Sequence, residues 1–135
     1  MKKIIFILTL LIVSSSFSQE TTKTFDPKLV GCWKGSEIDQ QQKGMTKYWV
    51  ACRFEDGKST LLFIAINKNG KIIQNTENGK WWTENGKFYE LHNYDGVTDV
   101  YDYEVIDDSI KFTGNVVMEG KLTNYSFYDY KIEDE

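Results

Sequence analysis

The chain has little with which to catalyse a reaction. Among 135 residues there is one histidine, one proline and two cysteines. No Gly-x-Ser-x-Gly nucleophile motif occurs, and no glycine-rich loop of the kind that cradles phosphates. Basic residues are in the minority, 16 Lys and Arg against 20 Asp and Glu, for a formal net charge of −4. This balance excludes nucleic acid as a natural partner, because phosphate binding needs clustered Lys and Arg. It also speaks against docking on anionic lipid. Helical periodicity never persists over three turns, so helical architectures drop out.

The one long apolar run is at the start. Met1-Lys2-Lys3 forms a positive n-region, Ile4 to Val13 an apolar h-region, and Ser16-Phe17-Ser18 supplies small residues for a signal peptidase. The run is shorter than the roughly 20 residues of a membrane span. Residues 1–18 therefore read as a signal peptide, with 19–28 as a leader, 29–132 as one domain and 133–135 as an acidic tail. No cysteine follows the h-region, which removes a lipid anchor. The expectation is an exported protein, periplasmic or secreted, with no membrane anchor after signal cleavage.

What the chain does have is turn punctuation. An Asn, Asp or Glu precedes Gly at Asp56-Gly57, Asn69-Gly70, Asn78-Gly79, Asn85-Gly86, Asp95-Gly96 and Glu119-Gly120. Asn-Gly and Asp-Gly tolerate the positive φ of tight hairpin turns. Between the marks lie short segments rich in Val, Ile, Phe, Tyr, Trp and Thr. The spacing predicts strands near 29–37, 46–54, 60–67, 71–75, 80–83, 87–93, 97–106, 110–118 and 121–132. Thr60 to Asn67, the most apolar, reads as buried on both faces. Short links favour pairing of sequence neighbours, so the fold class is all-β, an antiparallel up-and-down meander barrel of about eight to nine strands. Asp26-Pro27-Lys28-Leu29 suits a single helical turn ahead of it.

Two cysteines in an exported protein invite a disulfide. Cys32 and Cys52 flank the polar stretch from Asp39 to Gly44. A hairpin centred on residue 42 makes them direct cross-strand neighbours, whereas a one-residue slip puts them on opposite faces and leaves two buried thiols.

Gly31-Cys32-Trp33 opens the first strand and resembles the Gly-x-Trp signature of lipocalins and bacterial lipocalin-like domains. Asn78 to Leu91 resembles those domains more fully, with a turn, Gly-x-Trp, a short strand, an Asn-Gly turn and another apolar strand. Tyr101 to Phe112 resembles their last paired strands. The likeness covers about Leu29 to Phe127, without the Thr-Asp-Tyr motif or C-terminal helix of true lipocalins. It implies a small calyx, plugged at one end by Trp33 in a structural role and open at the other.

The expected function follows: a non-enzymatic binding protein that takes a small apolar molecule into the barrel. Phe63, Trp81, Phe88, Tyr101, Tyr103, Phe112, Tyr125 and Phe127 occupy alternate strand positions and are the candidate ligand-binding residues. Tyr101 and Tyr103 are the polar candidates, since a buried phenol seeks a hydrogen bond. The competing expectation is a protein partner, with a solid barrel whose outer surface, around Trp49 or Trp82, does the work. An enzymatic role would rest on Glu90 and His92, two residues apart and so on one strand face, where a carboxylate can orient an imidazole. That face otherwise reads as polar and outward. Asp95, Asp99, Asp102, Asp107 and Asp108 lack calcium-loop spacing, and Asp102 and Glu104 read as solvent-facing. One His and two Cys on separate strands do not make a zinc site. No metal and no cofactor is expected, and no catalytic residue is assigned.

Overall fold

The computed structural model describes residues 22–118 and 120–133. The expected signal peptide, the start of the leader and the end of the acidic tail lie outside the described residues. Eight strands run in chain order: β1 Gly31–Ile38, β2 Thr46–Arg53, β3 Lys58–Ile66, β4 Ile72–Glu84, β5 Lys87–His92, β6 Thr98–Ile106, β7 Ser109–Met118 and β8 Lys121–Lys131. Each pairs antiparallel with its sequence neighbour, and β8 returns to β1 to close the barrel. No helix among the described residues is long and apolar enough to cross a membrane.

Five of the six turn marks reverse the chain, with positive φ at Gly57, Gly70, Gly86, Gly96 and Gly120. Asn78-Gly79 does not. The strands expected at 71–75 and 80–83 are one continuous strand, β4, which pairs with β3 from Ile72 to Lys80 and with β5 from Gly79 to Glu84. At the handover the Leu91 carbonyl comes so close to Gly79 that a Cβ there would lie 2.4 Å from its oxygen. Glycine is present here because two neighbouring backbones converge at a barrel corner, which requires a missing side chain rather than a turn.

Alternation sorts the side chains. In β3, Ser59 and Ala65 are buried on the inner face, while Leu62, Ile64 and Ile66 on the outer face stay partly exposed. The expectation of burial on both faces fails because, among the described residues, no second layer covers the barrel from outside. In β1 and β2, i and j sum to one register: Cys32 opposes Cys52 and the two form a disulfide. The hairpin is centred on residue 42, as the first of the two registers requires.

One end of the barrel is sealed. Asp26 caps the 3-10 turn Pro27–Leu29 by accepting from the Lys28 N–H, and Pro27 sits where its missing N–H costs nothing. Leu29, Trp33, Trp81, Phe88, Ile110 and Phe112 form a fully buried apolar plug beneath it. The segment before the turn is fastened rather than loose. Thr24 bridges Thr83 by backbone bonds of 2.8 and 2.7 Å, and the Phe25 ring meets Trp81 edge-on at 5.5 Å.

Candidate functional site

The other end holds a polar cup. Beyond the plug, the inward positions of β2, β4, β5, β6 and β8 supply Arg53, Glu77, Glu90, His92, Asp99 and Asp129. The face of β5 that carries Phe88, Glu90 and His92 points into the barrel, where the sequence pattern had it facing water. The reason is register. Phe88 opposes Tyr101 and Thr83, both buried, and two-residue alternation then commits Glu90 and His92 to the same side.

Arg53 and Asp129 form the floor. They pair at 2.6 Å with side chains 2 % and 0 % exposed. Asp129 also accepts from Trp49 Nε1 at 2.7 Å. The guanidinium lies 4.9 Å from the Phe88 ring centre and 5.2 Å from that of Phe112, in cation–π range. Its Nε and Nη1 are sealed from solvent and have no hydrogen-bond partner among the described residues. Arg53, the one arginine of the chain, thus joins the polar cup to the apolar plug.

His92 is clamped between carboxylates. Nδ1 pairs with Glu77, and Nε2 lies 3.0 Å from Asp99. The Asp99 bond, aided by Glu77, outweighs burial and raises the imidazole to about 10, so the ring is protonated at neutral pH. Glu90 differs. Burial pushes its carboxyl up, only partly opposed by the Arg53 and His92 charges, while Asp129 and Asp99 push it the same way as burial. Burial likewise raises the Tyr101 and Tyr125 phenols, keeping both neutral.

Between these groups is a cavity of about 140 Å³, walled by Trp49, Leu61, Phe63, Tyr101, Tyr125 and Phe127 with Ala51, Arg53, Glu90, His92, Asp99 and Asp129. Next to it, sharing Leu61, Phe63, His92 and Asp99, is a second depression bordered by Asn75, Glu77, Tyr94, Asp95 and Val97. Among the described residues no group of three or more His, Cys, Asp and Glu side chains is arranged to hold a metal ion.

The eight expected ligand residues divide. Phe63, Tyr101, Tyr125 and Phe127 line the cavity. Trp81, Phe88 and Phe112 are buried in the plug. Tyr103 donates to Asp26 at 2.8 Å near the sealed end, where burial and that bond raise its phenol to about 12. Trp33, the expected plug, is 2 % exposed and donates to the Leu29 carbonyl at 3.1 Å. Trp82 is on the outer face, stacked on Tyr89 at 5.3 Å with Lys23 over its ring.

Trp49, Arg53, Glu77, Asp99 and Asp129 escaped sequence reasoning as site residues. A signal existed for two of them. Asp129 shares the parity of Tyr125 and Phe127, and Asp99 that of Tyr101 and Tyr103, so each belongs to a face already assigned inward.

No family model, curated protein or solved structure matches this chain.

Proposed function

We propose that the protein is an exported, lipocalin-like binding protein that holds one small molecule in the open half of its barrel. The observation that carries this reading is the aromatic-walled cavity of about 140 Å³ above the Arg53–Asp129 floor. Eight strands make a barrel whose interior either fills with side chains or accepts one small ligand. Here the plug fills one half and leaves the other free. A dry cavity of about 150 Å³ accommodates benzene, so the body of the ligand is ring-sized. Anything longer, a fatty acyl chain included, would extend through the mouth. The Cys32–Cys52 disulfide supports an oxidising compartment and hence export.

The cavity weighs against a solid barrel acting only through its exterior, and Trp49, one anchor of that reading, turns its indole inward to Asp129. The reading is also non-enzymatic. Glu90 and His92 do converge on the cavity. Yet both imidazole nitrogens are engaged by carboxylates and the ring carries its proton, so it has no lone pair to act as a base. Among the described residues no Ser, Thr or Cys side chain lines the cavity to act as a nucleophile.

Native mass spectrometry of protein recovered from the exported fraction, combined with Trp emission during titration of ring-sized compounds, tests the reading. A 1:1 small-molecule adduct, or a saturable shift from Trp49, is expected. A bare polypeptide whose emission never shifts would overturn it.

A further inference from the structure

The charges inside the open half do not balance. Glu37, Glu77, Glu90, Asp99 and Asp129 face inward against Lys47, Arg53 and His92. Most of them are committed. Glu37 pairs with Lys47 at 3.3 Å, Asp129 with Arg53, and both Glu77 and Asp99 share the single positive charge of His92. Even with Glu90 neutral, carboxylates exceed cations by one.

Glu90 is the exception among the carboxyls. It lines the cavity and has no hydrogen-bond or ion-pair partner among the described residues. The nearby cation does not fill that role. Arg53 spends Nη2 on Asp129, and its remaining N–H groups are sealed away from the cavity over the Phe88 and Phe112 rings. Glu90 is half-buried at the cavity wall, so its carboxyl is confined yet open to that space, and a ligand donor can pair with it there. The cavity that Glu90 lines is also walled by the rings of Phe63, Tyr101, Tyr125 and Phe127. Aromatic rings beside a carboxylate form a surrounding that favours positive charge.

We propose that the ligand of this cavity is a compact organic cation, a protonated amine on a ring-sized body, whose ammonium is received by Glu90. This rests on the small-molecule reading above and specifies its chemical class. An anionic ligand would meet Glu90 and Asp99, and among the described residues the cations of the cavity are already paired with carboxylates. A neutral apolar one would leave Glu90 unpaired.

Three probes of nearly equal shape separate the possibilities: benzylamine, benzyl alcohol and benzoate, titrated by calorimetry at neutral pH into wild-type protein and Glu90→Gln. The expected result is that benzylamine binds about tenfold or more tighter than benzyl alcohol, the gain of a charge-assisted bond and cation–π contact. Benzoate should bind weakest. Glu90→Gln should abolish the preference, with unchanged far-ultraviolet circular dichroism reporting that the variant is folded. If benzyl alcohol binds but benzylamine has no advantage, or keeps it in Glu90→Gln, the cation assignment is overturned and the cavity reading stands. If none of the three binds, both fall.

Discussion

Asp129 is wholly buried and accepts hydrogen bonds from two side chains of β2, Trp49 and Arg53. Buried ion pairs add little net stability over apolar residues of the same shape, but losing one partner leaves a bare charge in the interior. Asp129→Ala should therefore cost about 3–5 kcal/mol, read by urea unfolding, and a loss below about 1 kcal/mol would mean that Arg53 finds another partner. Glu90 behaves in the opposite sense. Its carboxyl is raised, so the folded state binds that proton more tightly than the unfolded chain, and stability falls as pH rises from about 4.3 through the folded value. Arg53 and His92 soften the effect, while Asp129 and Asp99 sharpen it. Glu90→Gln should match wild type below pH 4 and become progressively the more stable of the two toward neutral pH in thermal melts. A difference that does not change with pH would remove the charge argument. The polar interior was only partly legible from sequence. The His92–Glu90 pair was visible as a shared face, but charged residues on a half-exposed strand read as outward by default. Arg53 and Asp129 are 76 positions apart, so nothing local connects them.

Strand by strand, sequence reading came close. Turn marks at Asn69-Gly70, Asn85-Gly86 and Asp95-Gly96 bound β4, β5 and β6, because positive φ is a local demand that Gly answers locally. Asn78-Gly79 carries the same letters for a tertiary reason, the approach of the Leu91 carbonyl, which no local pattern reveals. The seam between β8 and β1 is the least paired joint of the barrel. Only Trp33 with Lys131 and Lys34 with Tyr130 are in register there, whereas β7 and β8 pair from Ser109–Tyr130 to Met118–Lys121. Even-numbered amides of β8 point to that seam, as the Ser126 N–H bonded to the Gln40 side chain and the Ile132 N–H bonded to the Cys32 carbonyl demonstrate. Hydrogen exchange should thus be faster at Asn124 and Tyr128 than at Tyr125 and Phe127, whose N–H groups face β7. Equal protection along β8 would mean that the seam is closed as firmly as the rest.

At the scale of the molecule, the barrel divides its interior between two tasks. The sealed half, from Leu29 to Phe112, supplies the apolar burial that any domain of this size needs, reinforced by the Cys32–Cys52 link on the outer face. The open half carries charge and empty space, both of which diminish stability and so point to a use outside folding. This division explains why the eight aromatic candidates split into plug and wall. Alternation decides which way a ring faces, but not how far along the barrel it lies, and that depends on strand register across the whole closed sheet. Ala51 offers the sharpest handle, being 4 % exposed and small at the cavity wall. A larger side chain there would occupy the space that a ligand needs. Calorimetric titration of a ring-sized neutral probe, benzyl alcohol, into wild-type protein and Ala51→Phe tests the central claim most directly. The account predicts saturable 1:1 binding to wild type that disappears in Ala51→Phe while the far-ultraviolet circular dichroism is unchanged. Absence of saturable binding, or binding that survives the filled cavity, would contradict it.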